Sequence, residues 1–391
     1  MNDLFVDQNE EITAQRDAFA QRIIDSVSAV FDMVTIYLGD RLGFYQALER
    51  GKWMTPAALA AQARTDEHYT RVWLEQQAAA GILEAEDEAQ DEAGDGWARR
   101  YRLPPGHQEV LAIRDSLHYL APLAQVAVGA VSPIHDMVKV YRSGGGLGFG
   151  AYGVDMCEGQ ARLNRNFLLY ELGQKYLPQI EEIHARLQSN PPARIADISC
   201  GVGWSTIGLA QAYPNVRIDG FDLDARAIEE AWAAAHHHGL TDRVTFHARD
   251  GADPVLNGRY DLVASFECIH DLNNPVGVLR TMRRLAGEHG VVLVMDERIG
   301  EGIAAKKGDA ARENTAERDK DVVKNSELGW MMNGWSVLYS LPVGIAELQG
   351  SAANGEMPSD KLQQYALEAG FQRVEPLPIE NFFFRFYRLH T

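Results

Sequence analysis

A chain of 391 residues with 46% hydrophobic and 24% charged side chains has ordinary globular proportions and length enough for two or three structural units, which excludes a fibrous repeat or a wholly disordered chain. Its formal net charge of −18 repels phosphate backbones and anionic lipid, so neither nucleic acid nor a membrane surface is an expected partner. Cys157, Cys200 and Cys268 lie far apart with no CxxC pair, which argues against a zinc knuckle or disulfide framework and fits a reducing cytoplasm. The first 20 residues hold Asp3, Asp7, Glu10, Glu11 and Asp17 without an apolar core, unlike a secretory signal, and no run of about 18 apolar residues follows.

From Ala14 to about Leu38, Phe19, Ile23, Val27, Val30, Phe31 and Val34 recur three or four residues apart, which predicts a long helix with one apolar stripe. In GKWMTPAALAAQARTDEHYTRVWLEQQAAAGILEAE, Thr55 caps a helix with Pro56 at its first position, Thr65 or Asp66 starts a second, and Gly81 ends it before a strand. After the acidic stretch EAEDEAQDEAGDGWA, RRYRLPP reads as the returning strand of a small hairpin. Residues 1–110 are therefore expected to form a helical, winged-helix-like domain. Its second helix pairs Asp66, Glu67 and Glu75 with only Arg64 and Arg71, poor chemistry for reading DNA. Trp53, Tyr69, Trp73 and Ile82, together with the first helix, offer more apolar surface than so small a unit needs, and homodimerisation is its expected role.

Residues 111–190 read as a helical connector, with Leu168, Leu172, Tyr176, Ile180, Ile183 and Leu187 on one side of a long segment that ends before Pro191 and Pro192. Inside it, the glycines of YRSGGGLGFGAYGVDM preclude a regular helix, and the absence of a GK[ST] ending argues against a phosphate loop. Phe149, Tyr152 and Met156 either pack this loop on itself or form a wall of a substrate cavity.

Over 191–391 short apolar strands alternate with helices: RIADIS, VRIDGFDLD, VTFHARD, YDLVASF and GVVLVMDE are the strands. This α/β pattern predicts a mostly parallel sheet covered on both faces, with its ligand outside the carboxyl ends of the strands. The first strand ends in DISCGVGWS, where Gly201 and Gly203 allow a tight turn into a helix with free amides. Thr206 stands where a dinucleotide fold wants its third glycine, which weakens a nicotinamide reading, and Asp197 before the turn suits a cationic cofactor better than a pyrophosphate. Asp222, about twenty residues on, is placed to accept from ribose hydroxyls, and Asp250 from an adenine amino group; a helix cap is the structural alternative for each.

DISCGVGWS, GFDLD, HARDGAD and YDLVASFECIHDL stand in the order and spacing of class I S-adenosylmethionine-dependent methyltransferases, and the whole layout resembles two-domain small-molecule O-methyltransferases with an amino-terminal dimerisation domain. The resemblance implies a Rossmann-like sheet of seven strands whose last is antiparallel, closed by FQRVEPLPI and FFFRFYRLH. It implies S-adenosylmethionine as cofactor and S-adenosylhomocysteine as product. Asp197, Ser199, Gly201 and Gly203 would surround the methionine and sugar end, Asp222 and Leu223 the ribose, Asp250 and Gly251 the adenine, with Phe266 alongside. Ser199 and Val202 depart from the family's usual glycine and threonine or serine. The same layout is similar to bacterial methyltransferase-domain proteins named as transcriptional regulators, a role for which this chain lacks basic chemistry.

In the small-molecule O-methyltransferases a histidine followed by aspartate and an aromatic serves as base. His270-Asp271 matches and Leu272 does not, so the resemblance implies His270 as general base only in part, with a locally bonded helix-start histidine or a purely substrate-orienting role as the alternatives. Glu267 is a second candidate, as base or as partner of a cationic acceptor, and Cys268 a space-filling hydrophobe. Asp296 and Glu297 reach the same sheet edge and could hold a divalent cation, but other ligands are not evident and no metal is expected. The triplet His236, His237 and His238 reads as a helix end. The insertion 300–357 begins charged and continues as ELGWMMNGWSVLYSLPVGIAE, from which Trp330, Asn333, Trp335 and Tyr339 are expected either to line a helical lid over a partly apolar or aromatic acceptor or to serve as core and dimer surface. Methyl transfer to a hydroxyl is the leading expectation; transfer to nitrogen or carbon, or a cofactor-binding regulator without turnover, are the alternatives.

Overall fold

The computed structural model describes residues 2–86, 99–272, 274–297, 327–347, 359–381 and 383–391. Most of the acidic stretch after Glu86 and the charged front of the 300–357 insertion lie outside the described residues. The chain divides into two compact units, Met1–Gly129 with Val154–Leu163, and Ala130–Gly153 with Asn164–Thr391. Residues 111–190, expected as a connector, are thus shared between the two. No helix among the described residues is long and apolar enough to cross a membrane.

The first unit begins with helix α1 (Asn2–Arg41), longer than the stripe alone predicted. Its stripe faces outward: Phe19, Val30 and Phe31 are 61%, 59% and 61% exposed. The end of α1 is anchored, because Trp73 Nε1 donates to Thr35 O at 2.9 Å and Gly39 leaves no room for a side chain beside Trp73 and Tyr45. Helix α2 (Phe44–Ala47) follows, then α3 (Pro56–Ala63), capped by Thr55, and α4 (Glu67–Ala79), capped by Asp66, whose carboxylate accepts from His68 N and Tyr69 N. Strands β1 (Glu84–Ala85) and β2 (Tyr101–Arg102) form a short antiparallel ladder, and Met54 bridges to Tyr101. Helices α5 (Pro105–Leu111) and α6 (Ala121–Val131) complete the core of Phe44, Tyr45, Leu59, Trp73, Leu74 and Tyr101.

After α7 (Ile134–Ser143), helix α8 (Gly153–Asn166) carries the polar cluster of the first unit. Arg162 donates to both oxygens of buried Asp40 at 2.7 and 3.0 Å, and Tyr119 Oη donates to Asp40 Oδ1 at 2.9 Å. A buried carboxylate so paired avoids the desolvation cost of a lone charge. Burial and the neighbouring Asp40 push the Tyr119 hydroxyl up to about 12.

The second unit is built on a seven-stranded sheet: β3 (Arg194–Ile198), β4 (Arg217–Asp222), β5 (Val244–Ala248), β6 (Leu262–Phe266), β7 (Val291–Glu297), β8 (Arg373–Pro376) and β9 (Phe384–His390). Their spatial order is β5-β4-β3-β6-β7-β9-β8, with β3 to β7 parallel and β9 antiparallel between β7 and β8. The closing hairpin expected from the sequence is present. Chain order reverses between β3 and β6, which marks the crevice where such sheets bind ligands.

Alternation along the strands makes two cores. Ile195 and Leu293 face α9 (Glu181–Gln188), α10 (Trp204–Ala212) and α11 (Ala225–His237), while Ala196, Ile198, Val292 and Val294 face α12 (Pro275–Ala286) and the helix Ser359–Glu368. Strand β6 is buried along its whole length, as a central strand covered on both faces must be. His236 and His237 occupy the last turn of α11.

Candidate active site

The loop between β3 and α10 is shaped by three left-handed residues, Ser199 (φ 61), Gly201 (φ 53) and Gly203 (φ 81). Such a run turns successive amides toward one concavity at a helix start, a natural cradle for a polar ligand. Gly203 admits no substitute: a Cβ there would lie 2.8 Å from Phe246 and 2.9 Å from Ala231. Asp197, at the end of β3, is 1% exposed. Its Oδ2 accepts from Ser205 Oγ and Thr206 Oγ1, each at 2.6 Å, while Oδ1 is buried without a partner. Burial pushes this carboxyl up to about 6, against the pull of the two hydroxyls. Thr206, which spoils the dinucleotide pattern, is thus a donor to the acid beside the loop.

Asp222, at the end of β4, accepts from Gly201 N through Oδ2 at 2.8 Å and from Asp224 N through Oδ1 at 2.9 Å. It ties the second strand to the glycine turn, and burial raises its carboxyl. The helix-cap alternative falls to its neighbour, since Asp224 caps α11 through Arg226 N. After β5, Asp250 accepts from Ala252 N at 2.8 Å, and Gly251 is packed so that a Cβ would come 2.8 Å from Ile198. Phe266 closes β6 and is buried, whereas Leu223 is 74% exposed. The carboxyl ends of four adjacent strands therefore carry Asp197, Asp222, Asp250 and Phe266.

Next to this crevice Glu267 holds a left-handed conformation (φ 59) while its N–H donates to Met295 O at 2.7 Å. Non-glycine residues adopt such conformations chiefly where function over-determines them. Asn164 Nδ2 donates to Glu267 Oε2 at 3.0 Å, and Oε1 is buried without a partner. Burial, then Glu297, holds this carboxyl well above the usual range, opposed by His270. His270 Nδ1 lies 2.8 Å from Asp296 Oδ1, which also accepts from Cys268 N at 3.1 Å. The ring and its acid are 11% and 4% exposed. Burial pushes the Cys268 thiol up to about 12, so it remains a neutral space-filler.

Asp296 was considered in the sequence only as a metal ligand, and Asn164 not at all. The register Phe266↔Met295 between β6 and β7 puts the residues just beyond, 267 and 296, side by side, a signal that needs the strand order.

The described part of the 300–357 insertion comprises the helix Glu327–Trp335, a wide turn Ser336–Ser340 and the helix Leu341–Glu347, which packs beside the Ile269–Asp271 turn. Tyr339 gathers Trp335, Tyr152 and Phe149 with ring centroids 5.0, 5.1 and 6.3 Å away. Tyr152 Oη donates to Leu338 O at 2.8 Å and Tyr141 Oη to Val337 O at 3.0 Å, satisfying carbonyls of the wide turn. The glycine-rich loop fits against it: Leu147 N donates to Pro342 O at 3.0 Å, and Gly146 lies too close to Ala346 N for any Cβ. Trp330 and Asn333 are exposed. Met156 belongs to the first unit, where it is buried against Gly129.

A family model described as a methyltransferase domain matches residues 189–342. The chain's backbone is similar to mitomycin 7-O-methyltransferase MmcR (TM-score 0.62, 18% identity, 97% of this chain and 99% of that one). It is also similar to PigF with SAH (0.65, 16%, 95% and 99%) and to human N-acetylserotonin methyltransferase in complex with SAM (0.62, 16%, 95% and 97%). These likenesses establish the fold, that of class I S-adenosylmethionine-dependent methyltransferases with a Rossmann-like core. Among curated sequences, ajmaline N-methyltransferase of Rauvolfia serpentina is 25% identical over 44% of this chain and 58% of its own length. Norajmaline N-methyltransferase of the same plant is 29% identical over 27% and 37%. The chain therefore spans about half or less of these relatives' length.

Proposed function

We propose that the chain transfers a methyl group from S-adenosylmethionine to a hydroxyl of a small, partly apolar or aromatic acceptor, with His270 as general base. The observation that carries this reading is the 2.8 Å pair between His270 Nδ1 and Asp296 Oδ1 at the mouth of a class I methyltransferase sheet. With Nδ1 donating to Asp296 Oδ1, proton traffic with the acceptor falls to Nε2, and the carboxyl orients the ring. The pair supports a base–orienter arrangement.

The residues present fit the cofactor. The partnerless Oδ1 of Asp197 suits an ammonium, the left-handed turn supplies amides, and Asp222 keeps acceptor capacity for ribose hydroxyls beyond its two backbone donors. When bound, S-adenosylmethionine supplies a methyl group activated by a sulfonium. The chain's own part is to hold both partners in line, take the proton, and enclose the site with the Phe149, Tyr152, Trp335 and Tyr339 group. Asp250 and Gly251 are assigned to the adenine, and Phe266 to the cofactor's flank.

The outward stripe of α1 supports pairing of the amino-terminal unit as a homodimer, for which α3, α4 and the β1–β2 ladder form a winged-helix-like body. Cys157, Cys200 and Cys268 form no disulfide among the described residues, which fits a cytoplasmic setting. N-methylation is a second reading, favoured by the names of the two plant relatives. Calorimetry with S-adenosylmethionine, S-adenosylhomocysteine and NAD, with Asp222→Ala as control, tests the cofactor. Binding of the sulfur ligands alone, lost in the variant, is expected. No binding by folded protein sinks the reading. A screen of phenolic acceptors with His270→Ala then tests the base.

A further inference from the structure

Glu267, like Asp197, meets only neutral hydrogen-bond donors and keeps one buried carboxyl oxygen without a partner among the described residues, but it lies beside the His270–Asp296 pair. Asn164 Nδ2 satisfies Oε2, and nothing satisfies Oε1. The groups that act on it are Glu297 and Asp296 from the end of β7 and His270 from the turn after β6. An acceptor offering only a phenol would engage His270 and leave Oε1 without a partner, whereas a cationic nitrogen would satisfy Oε1. The Glu267 backbone is anchored by its bond to Met295 O, so the carboxyl is held at one place.

We infer that Glu267 anchors a basic nitrogen on the acceptor, so that the acceptor class is a hydroxylated compound carrying an amine or comparable cationic nitrogen. This rests on the methyl-transfer reading and adds a second point of attachment to it. In the empty protein burial and Glu297 keep a proton on Glu267. Pairing with an ammonium displaces that proton, so binding releases protons to buffer.

The test uses the full chain, with and without S-adenosylhomocysteine, titrated calorimetrically with tyramine and with tyrosol, its neutral isostere bearing a hydroxyl in place of the ammonium. Tyramine is expected to bind at least tenfold more tightly, with proton release seen as a buffer-dependent enthalpy. In Glu267→Gln, which keeps volume and the bond from Asn164, the ratio is expected to fall to about one while S-adenosylhomocysteine binds as before. Equal binding of the two probes by the wild type, no binding of either at millimolar concentration, or a ratio that survives in the variant overturns the inference. So does a tenfold loss of S-adenosylhomocysteine affinity in the variant, which would assign Glu267 to the cofactor. The wild-type ratio decides even if the variant does not fold. Failure of S-adenosylhomocysteine to bind the wild type counts against the methyl-transfer reading alone, because the probe ratio is still read without it.

Discussion

His270, in the turn after β6, and Asp296, on the neighbouring parallel strand β7, meet with Nδ1 2.8 Å from Oδ1. Replacing Asp296 by Asn preserves shape but no longer fixes the proton on Nδ1. Turnover is expected to fall roughly a hundredfold or more, within the range of positioned proton transfer, while S-adenosylhomocysteine affinity stays within about twofold. Equal loss of cofactor binding would instead make Asp296 a structural support of the loop.

On the proposed reading, Asp197 gives the cofactor site a pH response. Its folded value of about 6 lies above the ordinary 3.8, so the empty protein holds this proton more tightly than the unfolded chain does. That contribution to stability is complete below about 3.8 and is lost as pH rises through about 6, on the order of 3 kcal/mol. Binding of an ammonium needs the ionised form, so S-adenosylhomocysteine affinity is expected to climb as pH rises across the same interval. Asp197→Asn should flatten the profile. A wild-type affinity independent of pH between 5 and 7 would remove Asp197 from the ammonium's surroundings.

Two glycines of the turn separate conformation from space. Gly201 (φ 53) has nothing within 4 Å of a Cβ, whereas Gly203 (φ 81) would drive one against Phe246 and Ala231. Gly201→Ala is expected to cost about 1–2 kcal/mol, the left-handed penalty alone. Gly203→Ala should cost roughly 2–5 kcal/mol and abolish cofactor binding. Denaturant unfolding of both variants checks the order, and equal costs would contradict it.

In the first unit, Arg162→Ala leaves Asp40 buried with only Tyr119 donating to it among the described residues. A stranded buried charge of this kind costs about 3–5 kcal/mol. Arg162→Lys is expected to recover only part of that, since an ammonium does not reproduce the two-pronged contact. Urea titration of the three proteins measures it.

The stripe on α1 predicts the oligomeric state. Val27→Asp with Phe31→Asp places charge where two apolar faces would meet, and light scattering is expected to report a monomer for the variant and twice that mass for the wild type. A monomeric wild type would refute the proposed pairing.

Much of this was legible in the chain. The glycine turn and Asp222 follow from strand periodicity and spacing, and Thr55 and Asp66 cap their helices as capping chemistry requires. The partner of His270 was not legible, because it depends on β7 lying beside β6 rather than on any local pattern. Thr206 was read as a missing glycine, and its hydroxyl contact to Asp197 emerges only when the helix curls back over the strand end. Met156 and Tyr152 are near neighbours in sequence, yet the boundary between units falls between them, just inside the start of α8. The wide turn at Ser336–Ser340 breaks helical period without a glycine or proline to announce it.

Gly208 of α10 lies so near Leu168 O and Leu169 that a Cβ would overlap both, and Gly173 presses likewise on Ala212. The helix that opens at the cofactor turn and the wide helical segment Phe167–Tyr176 therefore touch backbone to backbone. Along a lineage, this seam has no room for trial and error. On the proposed reading, a change of acceptor falls to the aromatic group around Tyr339, where ring sizes can be exchanged singly, while the seam must change as a unit. Divergence in what the protein methylates and constancy in what it borrows the methyl group from would then be written in different parts of one domain.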